Sequence, residues 1–231
     1  MDGRSGDIHR SRALDGIRGL AALSVLVFHV WLYRTNRPMG DRSLLFDQVG
    51  FALHLGLICF FVLSGFLLFR GFARAALTGD GPASLRTYAV RRAARIVPAY
   101  YACLLGCIAL YAVVGLGALV PDPERLWLFA AFAQNYAADT HMQIDPVTWT
   151  LVVEMAFYLV LPLIALAAFA LGPRRPGAQT ALLLALVAAT IGWNHLVHVA
   201  HLGEIAHKGL PSFLGQFALG AGLHAANGDD D

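Results

Sequence analysis

Charge is what this chain has least of. Only 14% of its 231 residues are Asp, Glu, Lys or Arg, against 58% hydrophobic, and the mean hydropathy is +0.60. Soluble domains carry nearer a quarter charged residues, so an ordinary aqueous globule is excluded. Lysine is almost missing: Lys208 stands alone, and arginine supplies the rest of the positive charge. With a net charge of +2 and no basic tract, nothing here offers an electrostatic footprint for nucleic acid. Cysteine is equally sparse. Cys59, Cys103 and Cys107 all lie in apolar stretches, so neither a disulfide framework nor a metal site is expected, and they read as small packing residues. Strand-like alternation is missing too; a membrane barrel would show alternating segments of ~10 residues.

What is present is a set of long apolar blocks, at about 17–33, 49–69, 97–120, 148–171, 178–199 and 210–226. Several approach the ~20 residues that cross a ~30 Å hydrocarbon core. A shorter block, 126–137, is expected to span poorly, to re-enter or to lie at the interface. The fold class is therefore all-α, a polytopic transmembrane bundle of about six or seven spans. The first block follows an Arg-rich arm but ends His29-Val30-Trp31-Leu32-Tyr33 without a small-residue cleavage site, so it reads as an uncleaved span.

Loop arginines set the orientation. The N-terminal arm carries Arg4, Arg10 and Arg12, and the second connection carries Arg70, Arg74, Arg86, Arg91, Arg92 and Arg95. The first connection, with Arg34, Arg37 and Arg42, competes less strongly. Two spans separate the most basic regions, which puts both, and the N terminus, in the cytoplasm. If 126–137 does not cross, Arg174 and Arg175 fall inside as well.

Three constellations carry chemistry. Arg18 and His29 are eleven residues apart in the first span. At ~100° per residue they share one face, about 16 Å apart along the axis. An ionisable group at that depth normally faces the bundle interior or a wet cavity, and a neutral imidazole there suits a general base. Arg92 and Arg95 are neighbours on a helix, and paired guanidinium forks suit phosphate groups. Glu154 lies in the apolar stretch that begins at Trp149, with Tyr158 one turn further on the same face. Taken singly, each has a plainer reading: a topology-setting arginine, a packed histidine, or a salt bridge to another span. Ser64 and Gly65 in the second span suit close helix packing. His195, His198 and His201 recur every third residue, with Glu204 and His207 beyond, but interfacial histidines are ordinary and no metal site is expected. The residues alone leave catalysis and proton-coupled transport both open.

Taken together, these stretches resemble the membrane acyltransferase 3 family of O-acyltransferases. Leu14 to Ala22 through His29 is similar to the family's opening Arg-x10-His helix, and Phe60 to Phe66 to its second-span signature. Arg92-Ala93-Ala94-Arg95-Ile96-Val97-Pro98 resembles its Arg-x-x-Arg element. Trp149 to Pro162 resembles its Trp-x-Leu-x-x-Glu-x-x-Phe-Tyr-x-x-x-Pro stretch, and Phe213 to Gly220 a later span with paired glycines. The resemblance implies transfer of an acyl group, usually acetyl, from cytoplasmic acyl-CoA to a hydroxyl of a cell-surface glycan or small molecule, in the inner (plasma) membrane. It implies acyl-CoA as co-substrate, with no tightly bound cofactor and no metal. His29 would then be base or acyl relay, Arg18 would hold the site electrostatically, and Glu154 would orient the imidazole or bind acceptor hydroxyls. Arg92 and Arg95 would meet the CoA phosphates, with Ser64, Trp149 and Tyr158 as further substrate-binding residues. The alternatives are a proton-coupled transporter or flippase, or an inactive remnant. Family members usually have about ten spans, so the domain over 1–226 is expected to be incomplete at its C-terminal side, with 227–231 as an acidic tail.

Overall fold

A computed structural model describes residues 3–35, 48–49, 52–78, 84–170 and 176–227. Arg37, Arg42, Arg174, Arg175 and the tail residues 228–231 lie outside them. Among the described residues regular structure is entirely helical. The helices are α1 (Gly3–Thr35), α2 (Leu55–Thr78), α3 (Leu85–Val114), α4 (Leu126–Ala130), α5 (Trp149–Ala170), α6 (Pro176–Val199), α7 (Gly203–His207) and α8 (Leu214–Asn227). Segments of α1, α3, α5 and α6 are long and apolar enough to cross a membrane, and α2 adds the shorter apolar stretch Leu55–Phe69. The chain is a multi-pass helical bundle, as its composition implies.

Helix bounds differ from the apolar pattern most tellingly in the third and last blocks. The third block opens at Val97 by hydropathy, yet α3 begins at Leu85, capped by the Ser84 side chain on the Thr87 N–H. Arginine and alanine are strong helix formers, so Arg91, Arg92 and Arg95 continue the apolar helix as its polar first turns. Gly115, at φ 75°, closes it with its N–H on the Tyr111 carbonyl, a left-handed conformation natural to glycine. The last helix starts at Leu214, because Leu210–Ser212 forms a 3₁₀ turn around Pro211. The 126–137 block yields only the five-residue α4 and a 3₁₀ turn at Gln134–Tyr136. At 1.5 Å per residue α4 covers about 8 Å, far short of a bilayer, so this block does not cross as a helix.

α3 and α5 run antiparallel: Arg92 meets Tyr158 near one end, and Cys103 meets Asp145 near the other. The segment between them, 115–148, folds over the far end of α3 and is pinned by tyrosines. Tyr100, Tyr101 and Tyr111 donate to the carbonyls of Phe129, Ala130 and Ile144 at 3.0, 2.6 and 2.6 Å. Buried Asn135 donates to the carbonyls of Trp149 (2.8 Å) and Lys208 (3.1 Å), which ties this segment to the α6–α8 connection. Both connections therefore occupy one end of the bundle.

Small residues let the remaining helices approach. A Cβ on Gly65 would stand 2.0 Å from the Phe217 carbonyl oxygen, and one on Gly220 1.9 Å from that of Val62. This α2–α8 seam is the close backbone packing expected where lipid supplies no hydrophobic drive. Phe217 fills it, stacked on Phe157 at 3.8 Å and tilted on Phe61 at 4.8 Å. On α1, Ser24 and Ala21 receive Gly56 of α2 in the same way.

Candidate active site

The eight candidate site residues lie on four helices, and all of them line one cavity of about 1250 Å³. α1 contributes Arg18 and His29, α2 Ser64, α3 Arg92 and Arg95, and α5 Trp149, Glu154 and Tyr158. α1 is continuous from Gly3 to Thr35, so the eleven-residue spacing does put both α1 side chains on the cavity face.

His29 is half-buried, and its Nδ1 lies 2.7 Å from the Val25 carbonyl oxygen, one turn back. A carbonyl only accepts, so the tautomer assigned from this contact carries its proton on Nδ1 and leaves Nε2 as the basic nitrogen. The Phe28 ring meets the His29 imidazole edge-on at 5.2 Å and the His54 ring at 5.0 Å, steadying the imidazole in a largely apolar wall.

Glu154 joins two helices. Ser64 Oγ of α2 donates to its Oε1 at 3.0 Å, and the Tyr158 hydroxyl, one turn on, donates to the same oxygen. Hydrogen bonds to a charged acceptor are about twice as strong as neutral ones, so the carboxylate is fixed in direction. Among the described residues Glu154 makes no ion pair; its plainer reading as half of an interhelical salt bridge loses to a hydroxyl-bound carboxylate. The Arg92 guanidinium carbon lies 6.0 Å from the Tyr158 ring centroid, at the outer limit of a cation–π contact. Among the described residues, Arg92 Nε is buried without a hydrogen-bond partner. Ser64, Glu154, Tyr158 and Arg92 thus form one polar string across α2, α5 and α3. Trp149 closes the wall with its ring 5.4 Å from that of Phe213.

Such a cavity offers a basic imidazole, a held carboxylate and several guanidinium donors inside an apolar body. The family model described as an acyltransferase domain matches residues 11–229. The chain belongs to the acyltransferase 3 family. It is similar to Nodulation protein 10 of Rhizobium leguminosarum bv. viciae, 27% identical over 176 residues, which cover 68% of this chain and 44% of that protein. The chain thus spans less than half the length of this curated relative. No solved structure matches it significantly.

Other residues of this acyltransferase 3 chain line the cavity without having been singled out as site residues: His54, Met142, Asp145, Glu204, His207 and Lys208. Most come from the two connections at the far end, where no apolar span frames them. Two local signals were readable. Asp145-Pro146, with Asp145 capping the 3₁₀ turn Pro146–Thr148 ahead of Trp149, is a helix-start pattern, and Glu204 with Lys208 is an i,i+4 pair. The histidine series does not assemble; His195, His198, His201 and His207 are all exposed.

Glu204 accepts from Lys208 Nζ at 2.7 Å and pairs with His141 Nε2 at 3.3 Å. The Lys208 hydrogen bond, then its charge, and more weakly His141, hold the Glu204 carboxyl below its usual range. Its folded pKa is below the unfolded one, so its stabilisation is present above the ordinary carboxylate range and is lost as pH falls through the folded value. The Glu204 side chain is 66% exposed, so the pair contributes only about 0.2–1 kcal/mol. Glu204→Gln is expected to lower the melting temperature of detergent-solubilised protein slightly near pH 7, and to lower it less at acidic pH, as the carboxyl takes up its proton. An equal loss at both pH values would assign the effect to packing instead.

Proposed function

We propose that this chain is a membrane-embedded O-acyltransferase that moves an acyl group, acetyl in the simplest case, from cytoplasmic acyl-CoA to an acceptor hydroxyl. The acceptor classes it fits are a cell-surface glycan and a polyhydroxylated small molecule, and the membrane is the plasma membrane with the N terminus inside. The observation that carries this reading is the meeting of His29, the Ser64–Glu154–Tyr158 group and Arg18, Arg92 and Arg95 on one cavity wall. Family membership supports the chemistry.

His29 Nε2 takes the proton of the acceptor hydroxyl as its oxygen attacks the thioester carbonyl carbon. The carbon–sulfur bond then breaks, and the CoA sulfur leaves with the proton carried by the imidazolium. With the Nδ1 proton held by the Val25 carbonyl, Nε2 is the nitrogen that takes the acceptor's proton; an acyl relay through His29 would use the same nitrogen. Glu154 serves as an acceptor for hydroxyls of the incoming substrate. Arg18 adds positive potential for the charge that develops on the thioester oxygen.

Arg92 and Arg95 take the CoA phosphates at the cytoplasmic edge, where the unpartnered Arg92 Nε marks a donor suited to an anionic ligand. Hydrogen bonds to charged groups contribute about 1.5–3 kcal/mol, so Arg92→Ala and Arg95→Ala are each expected to weaken acetyl-CoA binding by about 10–100-fold. Calorimetric titration of purified protein checks this, with wild-type affinity falling steeply as salt rises. Unchanged affinity in both variants would move the donor site elsewhere.

A further inference from the structure

Cys103, Cys107 and Asp145 form a cluster that the acyl-transfer reading leaves unused. The cysteines are four residues apart on α3 and so share a face. Asp145 returns over them from the segment beyond α3, which is why no ligand spacing shows in the sequence. One sulfur from each cysteine and one carboxylate oxygen all lie within 4.8 Å of one another, and Cys103 Sγ donates to Asp145 Oδ2 at 3.5 Å.

The carboxylate is aimed there by its surroundings. Asp145 Oδ1 accepts the Val147 N–H at 3.1 Å, and the Asp145 carbonyl accepts the Thr148 hydroxyl at 2.6 Å. Ile144, just before it, is buried and sits at φ 60°, a backbone region that β-branched residues avoid and that persists only where neighbours over-determine it. Those neighbours are present: the Ile144 N–H bonds to the Leu119 carbonyl at 2.9 Å, and its carbonyl takes the Tyr111 hydroxyl at 2.6 Å. Tyr111 is one turn beyond Cys107 on α3. The helix that carries the thiols also locks the strained segment that points Oδ2 at them.

We propose that Cys103, Cys107 and Asp145 bind a thiophilic divalent cation of the zinc class. Two thiolates select soft or borderline ions over calcium or magnesium, and three protein ligands with one open position make a complete zinc coordination set once water joins. Zinc–ligand bonds of about 2.0–2.3 Å place tetrahedral neighbours roughly 3.4–3.8 Å apart, so side-chain rotation closes the site. Binding releases the two thiol protons to water as the two metal–sulfur bonds form. Cys103 and Asp145 also line the cavity, so the fourth position is reached from it. The ion would bolt α3 to the overlying segment. This inference does not rest on the acyl-transfer reading.

The test is cobalt titration of the full chain in detergent, reduced and freed of metal with a chelator. The expected result is one equivalent of bound Co²⁺, with thiolate-to-metal charge-transfer absorption in the near ultraviolet that Zn²⁺ abolishes by displacement. Cys103→Ser and Cys107→Ser should each reduce that absorption, and their combination should remove it. Asp145→Asn keeps the cap acceptor for Val147, so the segment stays folded, and should weaken Co²⁺ binding on the order of tenfold or more. Zn²⁺ should also slow maleimide labelling of Cys103 while leaving exposed Cys59 unaffected. No charge-transfer band in the wild type, or a band that survives in the double serine variant, would overturn the site.

Discussion

Replacing His29 by alanine is expected to lower acyl transfer by about 10²–10⁴-fold, the usual contribution of a positioned general base. The side chain is half-buried on the cavity face of α1, and its Nδ1 bonds one turn back to its own helix. Removing it therefore costs little packing, and the variant should elute and melt like the wild type. Acetyl-CoA affinity should hold as well, because the donor phosphates are assigned to Arg92 and Arg95 rather than to α1. The loss then falls on kcat, read as the rate at which free CoA thiol appears. Less than a tenfold loss would place the base elsewhere on the wall.

The largest structural effect is expected at the α2–α8 seam. A Cβ at Gly220 would meet the Val62 carbonyl oxygen at 1.9 Å and the Phe66 nitrogen at 2.8 Å. Both are backbone atoms, so no side chain can swing aside. Gly220→Val must push the helices apart and open the Phe61–Phe217–Phe157 stack. Overpacking ordinarily costs about 1–3 kcal/mol and more where rigid groups collide, enough to remove much of a marginal stability. Loss of monodisperse protein in size-exclusion chromatography is the expected outcome. Gly106→Ala is the control: nothing lies within 4 Å of its added Cβ, and alanine is the better helix former. Similar behaviour of the two variants would argue against the seam.

The Arg18–His29 pair was legible because it depends only on the period of one helix, and α1 is unbroken between them. The all-α class was legible because scarce charge and long apolar blocks leave few alternatives. The arginine pair was readable as neighbours on a helix, but not as part of the third apolar helix. Hydropathy starts the third block at Val97, whereas the backbone continues the same helix back to Leu85. What the sequence does not encode locally is which helices meet. Ser64 and Glu154 share a hydrogen bond across ninety residues, and only the packing of α2 against α5 shows that Ser64 binds Glu154. Asp145 is the sharpest case. As a cap before Trp149 it looks like punctuation, and it joins Cys103 and Cys107 only because the connection folds back over α3.

Sidedness tests the functional reading most directly. Sealed membrane vesicles carrying this chain can be prepared with the cytoplasmic face outward or inward and given acetyl-CoA labelled in the acetyl group, to which the bilayer is impermeable. With the cytoplasmic face outward, label should accumulate in an alkali-labile ester and fall to background in His29→Ala. Vesicles of the opposite orientation should stay unlabelled until permeabilised. Equal labelling from both faces, or ester formation undiminished by His29→Ala, would contradict a cavity that accepts acyl-CoA at its Arg92–Arg95 end and activates the acceptor at His29.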